Sequence, residues 1–297
     1  MRISSIDIGS NAIRQVIVET DREGLATNQW ITLKKYRAPL RLGSDVFEYG
    51  SIQPETIKKL ISVFKKMARF NKRYKVLKNI AVATSAMRDA KNNTAIINLI
   101  KKVTGIKITL ITGALEAKYI QQSIIKSNLI NFNNSLLIDI GGGSLELTAV
   151  RNLQIKEAGS FPLGVVRLMN KIRKKKITLI QEASKYIDPF RKKVKSTEFS
   201  IAIGTGGNFD ALSKLKMDLL KKTPQTNLTI MEIKSIYSIW KKLSLRQRLG
   251  LNIRKDRVDV LDVALPLIIL ILEKFNIGKL KIPNTGLKEG VIQSYLS

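Results

Sequence analysis

Two short segments of the sequence each end an apolar run in an aspartate that is followed closely by glycine. The first, "SSIDIGSN", has Asp7 before Gly9, and the second, "LLIDIGGGS", has Asp139 before Gly141. Glycine lets a ligand approach the backbone closely, and the N–H groups of such a turn bind anions such as phosphate. Either turn alone is equally typical of an ordinary hairpin. Because the pattern occurs twice, we predict two related halves that face one phosphate-containing ligand.

The candidate phosphate-binding residues are the glycine and polar residues of the two turns: Gly9, Ser10, Asn11, Gly141, Gly142, Gly143 and Ser144. Neither turn has the GxGxxG pattern of a dinucleotide-binding fold, and apolar alternation typical of a strand follows each of them. The pattern therefore indicates phosphate contact at a turn between two strands.

Three carboxylates are expected at or just beyond the turn ends of buried strands, and these are Asp7, Asp139 and Glu146. A buried carboxylate is costly unless it is paired or bound to a metal. Magnesium suits such residues, because it takes one or two carboxylates and fills its other positions with water and phosphate oxygens. The alternative for each residue is a carboxylate that caps a neighbouring backbone amide.

The composition removes several classes of chemistry. The 297 residues include no histidine and no cysteine, which excludes Ser-His-Asp triads, the usual zinc sites and disulfides. The absence of cysteine suits a reducing compartment, so we expect a cytoplasmic protein. The longest apolar run, residues 263–272, is too short to span a bilayer, and no membrane partner is expected.

The chain carries a formal charge of +29, from 52 basic and 23 acidic residues. A charge of this size attracts polyanions such as nucleic acid, acidic membranes or phosphate chains. The alternative is a compositional bias that places lysine on a solvated surface. Only 6% of the residues are aromatic and no nucleic-acid recognition motif is present, so nucleic acid is not expected as a partner.

The hydrophobic pattern predicts an α/β protein whose two halves each begin with a hairpin and continue with alternating helices and strands. The predicted strands cover residues 3–8, 13–19, 28–33, 79–83, 106–113, 135–140, 145–150, 154–159 and 199–203. A helix is expected from about residue 85, and residues 229–297 are expected to be mostly helical. We predict an N-terminal domain over residues 1–125 and a C-terminal domain with a helical extension over residues 126–297.

This order of elements is that of a duplicated ribonuclease-H-like fold, of the actin-like ATPase and sugar kinase type, with the active site in the cleft between two domains. The sequence also resembles the exopolyphosphatase and guanosine pentaphosphate phosphohydrolase family, Ppx/GppA. The resemblance rests on motifs that occur in the family's order along nearly the whole chain: "IDIGSNAIR", "RLGSDVFEYGSI", "VATSAMRDAKN", "ITGALEAKYI", "LLIDIGGGSLEL", "SFPLGVVRL", "IGTGGNFDAL" and "GLKEGVI".

The resemblance implies a role for each matching residue. Glu116 is the catalytic residue that activates the attacking water. Asp139 and Glu146 bind Mg²⁺, and Asp7 is the counterpart of Asp139 in the first half. The two glycine turns hold the phosphates.

Two further residues are assigned to the substrate by the resemblance, Arg88 and Gly206 of the turn at 204–207. An arginine beside a phosphate forms bidentate, charge-assisted hydrogen bonds, although a surface position on a helix is the alternative for Arg88. The sequence departs from the family at Leu115, where a second glutamate is common, and at Leu145, where a hydroxyl is common. These departures put the rate of turnover in question.

The function implied is a magnesium-dependent exopolyphosphatase that removes terminal phosphates from inorganic polyphosphate. Two alternatives stay open. One is hydrolysis of the 5′-phosphate of guanosine pentaphosphate, and the other is a protein that binds polyphosphate or an alarmone without turnover. The apolar helices expected over residues 234–272 suit either a core or a homodimer.

Overall fold

The computed structural model describes residues 1–20, 30–125, 134–152, 154–175, 177–194, 198–283 and 285–296. Its residues fall into two compact units, of which unit 1 comprises residues 1–126 and 286–297, and unit 2 comprises residues 127–285. The predicted boundary after residue 125 adjoins residues 126–133, which lie outside the described part. No helix in the described ranges is long and apolar enough to cross a bilayer.

Unit 1 is built on a five-stranded mixed sheet in the order β3-β2-β1-β4-β5. The strands are β1 (Arg2–Ile8), β2 (Ile13–Glu19), β3 (Ile31–Ala38), β4 (Lys78–Ala83) and β5 (Ile108–Leu110). The helices are α1 (Leu42–Tyr49), α2 (Pro54–Arg73), α3 (Ser85–Asp89), α4 (Asn93–Thr104), α5 (Gly113–Ile125) and, from the end of the chain, α12 (Leu287–Leu296).

The two faces of this sheet differ because strand residues alternate between them. Ile6, Ile8 and Ile13 point to one face, where they form the main core with α2, α3 and α4. Asp7 and Arg14 stand opposite each other on the other face. The glycine turn joins β1 to β2 and therefore lies at the edge of the sheet where β1 ends.

The placement of α12 differs from the predicted domain division, which put the end of the chain in the second domain. Ile292 of α12 packs with Ile3, Val16 and Val18 in the core of unit 1. Gly290 lies against α5 so closely that a Cβ atom built on it would stand 1.9 Å from the carbonyl oxygen of Tyr119. The apolar face of α12 is thus buried on β1, β2 and α5, a contact between distant parts of the chain that periodicity does not reveal.

Unit 2 is built on a six-stranded mixed sheet in the order β10-β11-β9-β6-β7-β8. The strands are β6 (Ser135–Ile140), β7 (Leu145–Arg151), β8 (Gln154–Phe161), β9 (Ile201–Thr205), β10 (Asn227–Thr229) and β11 (Lys279–Lys281). The helices are α6 (Val165–Lys175), α7 (Leu179–Lys193), α8 (Gly207–Leu215), α9 (Ile230–Lys242), α10 (Leu245–Leu249) and α11 (Leu261–Lys274), with a π-helical turn at Lys216–Leu220.

The two sheets share one topology, which confirms the predicted duplication. In unit 1 the hairpin strands β1 and β2 are followed by β3, and β4 and β5 lie parallel to β1 on its other side. In unit 2 the strands β6, β7, β8, β9 and β11 repeat this arrangement.

Five sequence predictions of single elements were wrong or incomplete. The third predicted strand, residues 28–33, overlaps β3 only from residue 31, and residues 28 and 29 lie outside the described part. The helix expected from residue 85 stops at Asp89, because Ala90 is extended, and a separate helix follows at 93–104. Only three residues of 106–113 are strand, and residues 42–49 form a helix that was not predicted. The region 229–297 contains β11, a three-residue strand too short to show alternation.

Replacement of Gly290 by alanine is expected to destabilise the protein by about 1–3 kcal/mol, because the added methyl group overlaps the α5 backbone. Urea unfolding measures this loss. The matched control is Gly278→Ala, since a Cβ atom there meets nothing within 4 Å. Equal stability of the two variants would contradict the close packing of α12 on α5.

Candidate functional site

Four polar side chains form a row across neighbouring strands of unit 2. The register pairs Asp139 of β6 with Glu146 of β7, Glu146 with Ser160 of β8, and Asp139 with Thr205 of β9. Thr205 Oγ1 donates a hydrogen bond to Asp139 Oδ2 at 2.7 Å, and Ser160 Oγ donates to Glu146 Oε1 at 2.8 Å. The row therefore places two carboxylates side by side and orients each of them with a hydroxyl group. We name Thr205, Asp139, Glu146 and Ser160 the carboxylate row.

The turn after β9 leaves space beside this row. Gly206 has a φ of +90°, which favours glycine, and a Cβ atom built on it would stand 3.0 Å from Asp139 Oδ1. A larger residue would therefore be strained and would crowd the carboxylate. The predicted glycine turn is thus brought to Asp139.

A buried arginine fastens this turn, and sequence reasoning missed it. Arg257 Nη1 donates to Asn208 Oδ1 at 2.8 Å, and Asn208 Nδ2 donates to the carbonyl of Ile140 at 2.7 Å. The guanidinium group also lies against Gly207, where a Cβ atom would stand 2.4 Å from Nη2. Arg257 connects the start of α8 to the end of β6. Arg257 is part of the charged run "RKDR", which is typical of a solvated surface and gives no local signal of such a role.

The glycine loop between β6 and β7 is held by the start of α6. Within the loop, the N–H of Gly141 donates to the carbonyl of Ser144 at 2.9 Å. The N–H groups of Val165 and Val166 donate to the carbonyls of Gly141 and Gly142, at 3.1 and 2.8 Å. Backbone N–H groups of the segment "PLGVVRL" thus bind the carbonyl groups of the glycine loop and hold it in place.

Two contacts complete this support. Arg167 Nε donates to the carbonyl of Gly143 at 2.7 Å. A Cβ atom on Gly164 would stand 2.3 Å from the backbone of Gly143 and Ser144, so the loop and the start of α6 are in direct contact.

Leu145, where the family pattern has a hydroxyl, points away from this row. Strand residues alternate, so Leu145 lies on the face of β7 opposite Glu146, and its side chain is fully buried in the core. The leucine therefore removes no hydroxyl from the carboxylate row.

The corresponding row in unit 1 carries the opposite balance of charge. Arg14 of β2 stands opposite Asp7, as Glu146 stands opposite Asp139, and Arg37 of β3 comes next. Arg14 Nη1 donates to Asp7 Oδ2 at 2.7 Å, and Asp7 is buried. This ion pair neutralises Asp7, which disfavours the metal-binding role predicted for it. Sequence reasoning missed Arg14, although it follows Asp7 at the same spacing at which Glu146 follows Asp139.

The polar side chains of the first glycine turn, Ser10 and Asn11, form hydrogen bonds with other residues of unit 1. Ser10 Oγ accepts a hydrogen bond from the N–H of Ala86 at 3.1 Å and lies 2.9 Å from Ser85 Oγ. Asn11 Oδ1 accepts from Arg41 Nε at 2.7 Å. Ser10 and Asn11 are both buried. These contacts fasten the turn to the start of α3 and to the segment before α1, and any contact of Ser10 or Asn11 with phosphate stays a prediction.

Arg88 contacts the junction of unit 1 where β5 ends and α5 begins, and Glu116 lies in the first turn of α5. Arg88 Nη1 donates to the carbonyl of Ile111 at 2.8 Å. The N–H of Glu116 donates to the carbonyl of Thr112 at 3.0 Å, in the first turn of α5. Glu116 is buried to 8% exposure, whereas Arg88 is about one-third exposed. Leu115 is only partly buried at this junction.

The carboxylate row suits a divalent cation that takes most of its ligands from elsewhere. Among the described residues, no group of three or more acidic side chains forms a complete metal cage. Mg²⁺ needs no such cage, because one or two carboxylates with waters and phosphate oxygens satisfy it. Asp139 and Glu146, with the space left by Gly206, match that requirement.

Comparison with known proteins identifies the family. The family model of Ppx/GppA phosphatases matches residues 16–297. The chain belongs to the Ppx/GppA phosphatase family. An exopolyphosphatase of Cytophaga hutchinsonii has the same fold, with a TM-score of 0.90 over 100% of this chain and 98% of that one, at 24% identity.

Two curated relatives carry different activities in their names. Exopolyphosphatase 1 of Mycobacterium bovis is 30% identical over 168 residues, which are 57% of this chain and 48% of that protein. A guanosine-5'-triphosphate,3'-diphosphate pyrophosphatase of Pseudoalteromonas translucida is 27% identical over 301 residues, which are 98% of this chain and 58% of that protein. The chain spans about half the length of the curated relatives it matches.

The hydroxyl of Thr205 is expected to position Asp139 for cation binding. Thr205→Val keeps the shape but removes the donor, and loss of such a supporting contact lowers metal affinity by about 10- to 100-fold. Calorimetric titration with Mg²⁺ and with Mn²⁺ measures the affinity. Thr205→Ser keeps the donor and is the control, and equal affinity of both variants would show that the contact has no positioning role.

Proposed function

We propose that the chain is a phosphohydrolase that releases orthophosphate from the end of inorganic polyphosphate with the help of Mg²⁺. The observation that carries the proposal is the carboxylate row, with Asp139 and Glu146 side by side next to the glycine loop. Membership of a phosphatase family supports hydrolysis of a phosphate ester or anhydride by this site.

The metal in this proposal is bound by Asp139 and Glu146, while Asp7 is left to its ion pair with Arg14. Bound there, Mg²⁺ would neutralise charge on phosphate oxygens and so lower the barrier to attack. Thr205 and Ser160 hold the two carboxylates in place. The glycine loop, Arg88 and the first glycine turn are proposed to bind phosphate groups of the substrate.

Glu116 is proposed as the base that accepts a proton from the attacking water. The water oxygen bonds to the terminal phosphorus, and the bond from that phosphorus to the bridging oxygen breaks. The products are orthophosphate and a polyphosphate chain shorter by one phosphate. Most of the acceleration comes from positioning and charge neutralisation, as in other phosphoryl transfers. The burial of Glu116 and its place beside the Arg88 junction support the assignment.

Guanosine pentaphosphate is the second candidate substrate. The observation in its favour is the match to the Pseudoalteromonas pyrophosphatase, which extends over nearly the whole chain. The charge of +29 favours the polymer, because each additional phosphate can meet a further lysine or arginine. A cytoplasmic location and a homodimer stay predictions.

Glu116→Gln is expected to lower the rate of phosphate release by about 10²- to 10⁴-fold, since an amide cannot take up the proton of water. Affinity for polyphosphate should hold or rise, because one negative charge is removed. The paired measurement is turnover and binding on the same variant.

The matched control for this change is Glu55→Gln, which alters an exposed carboxylate in the first turn of another helix of unit 1. It should leave the rate within a few-fold of the wild type. If Glu116→Gln behaves in the same way, Glu116 is a structural residue. A wild-type protein without turnover would instead support the binding protein that the sequence left as an alternative.

The substrate and the metal are tested together. We expect phosphate release from polyphosphate in Mg²⁺, a slower release from guanosine pentaphosphate and none from ATP. EDTA should abolish the release, and Asp139→Asn should reduce both the rate and its dependence on Mg²⁺. Faster release from the nucleotide would assign the second candidate substrate, and full activity in EDTA would contradict the role of Asp139 and Glu146.

A further inference from the structure

Helix α2 of unit 1 is positively charged on its whole solvent-exposed side. Its basic residues, all of which are exposed, are Lys58, Lys59, Lys65, Lys66, Arg69, Lys72 and Arg73. Its one acidic residue, Glu55, pairs with Lys58 at 2.7 Å. The buried side, in contrast, is apolar, with Leu60, Phe64 and Met67 in the core. The positive charge therefore lies on the side of α2 that does not pack into the core.

Three of these residues form a line along the helix. Lys59, Lys66 and Arg73 are spaced seven residues apart, which places them on one side of α2 at intervals of about 10 Å. The line is about 21 Å long from the first Cα to the last. This length suits an extended polyanion better than a single phosphate group.

Two aromatic rings, Tyr36 of the edge strand β3 and Phe70 of α2, each carry a lysine over one face. Lys66 Nζ lies 4.9 Å from the ring centre of Tyr36, and Lys34 Nζ lies 5.2 Å from that of Phe70. The two rings pack edge to face, with their centres 5.4 Å apart. Cation–π contacts of this kind hold an ammonium group in place without neutralising its charge. We name Lys34, Lys59, Lys66 and Arg73 the α2–β3 surface.

These cations differ from several lysines of unit 2 in forming no ion pair with a carboxylate of the described residues. Lys171 and Lys185 both pair with Glu182, and Lys216 pairs with Glu232. Within the described ranges, in contrast, no carboxylate pairs with any residue of the α2–β3 surface. Like charges on one surface repel one another, more weakly as salt screens them, and binding of an anion would relieve that repulsion.

The α2–β3 surface extends toward the end of the sheet at which the first glycine turn joins β1 to β2. Arg2, at the start of β1, donates a hydrogen bond to the carbonyl of Tyr74, the residue just after α2. The last turn of α2 therefore lies at the opposite end of the sheet, where β1 begins. Helix α2 therefore runs antiparallel to β1, and Lys59 lies nearer than Arg73 to the edge where β1 meets Gly9. A chain that lay along the surface would extend toward that edge.

We propose that the α2–β3 surface is a second binding site for long polyphosphate, which holds phosphates remote from the one that is hydrolysed. The inference rests on the proposed function and deepens it. A phosphate chain suits this surface better than single-stranded nucleic acid does, because both rings already carry a lysine over one face and pack against each other. Base stacking needs such ring faces, whereas a phosphate chain needs only the cations.

The test is a variant with Lys59, Lys66 and Arg73 all changed to alanine, which favours the helix. The control changes Lys101, Lys102 and Lys107, which are exposed residues of the same unit, so that the loss of charge is equal. Binding of long polyphosphate and of tripolyphosphate is measured at about 50 mM and about 200 mM salt. Phosphate release from both compounds is measured in parallel.

We expect affinity for long polyphosphate to fall on the order of tenfold in the first variant, from the loss of three exposed ion pairs. The slope of log affinity against log salt should also become shallower by about 2 to 3. Hydrolysis of tripolyphosphate should be unchanged, and the control should bind as the wild type does. If the alanine variant does not fold, Lys59→Gln with Arg73→Gln keeps Lys66 on Tyr36 and should show a smaller loss.

Equal binding of long polyphosphate by the variant and the control would overturn the inference while leaving the proposed function intact. A wild-type protein that hydrolyses neither compound would instead overturn the proposed function. An oligothymidylate of matched charge is the third ligand. If it binds more tightly than polyphosphate and loses affinity in the variant, the surface is a nucleic-acid site and the assignment to polyphosphate is wrong.

Discussion

The candidate site of unit 2 is built on one register pair, in which two carboxyl groups stand directly opposite each other on neighbouring strands. Asp139 and Glu146 are in register, with Cβ atoms about 4.5–5.5 Å apart, and like charges at this distance destabilise a sheet. Thr205 and Ser160 each donate a hydrogen bond, which orients the carboxylates but does not cancel their charge. A divalent cation bound between them would do so. The pairing therefore supports the metal site proposed at the row.

The two halves place side chains of opposite charge at the same position of the hairpin, across from the aspartate. In both halves a charged residue follows the aspartate at the same spacing, so that the glycine turn brings it across the hairpin. In unit 1 this residue is Arg14, and the pair with Asp7 is internally neutral. In unit 2 it is Glu146, so the register places two carboxyl groups side by side. One backbone design thus yields a structural ion pair in one half and a candidate metal site in the other.

The sequence predicted what is local and missed what depends on register. Glycine turns and alternating strands are local patterns, and they were sufficient to predict the two hairpins with Asp139 and Glu146 beside one of them. Thr205 and Ser160 join the row only through strand pairing with β6 and β7, which no spacing reveals. Arg257 and the placement of helix α12 in unit 1 were missed for the same reason, since both involve contacts with residues far away in the chain.

The packing of α12 has a consequence for Glu116, because both depend on α5. Glu116 lies in the first turn of α5, and Gly290 of α12 packs against the backbone of Tyr119 one turn later. The strand before α5 has only three residues, so the sheet alone holds the start of this helix weakly. Arg88 secures the end of that strand at Ile111, and α12 secures the helix. The position of the proposed base is therefore set by contacts from Arg88, earlier in the same unit, and from α12, more than 160 residues later in the chain.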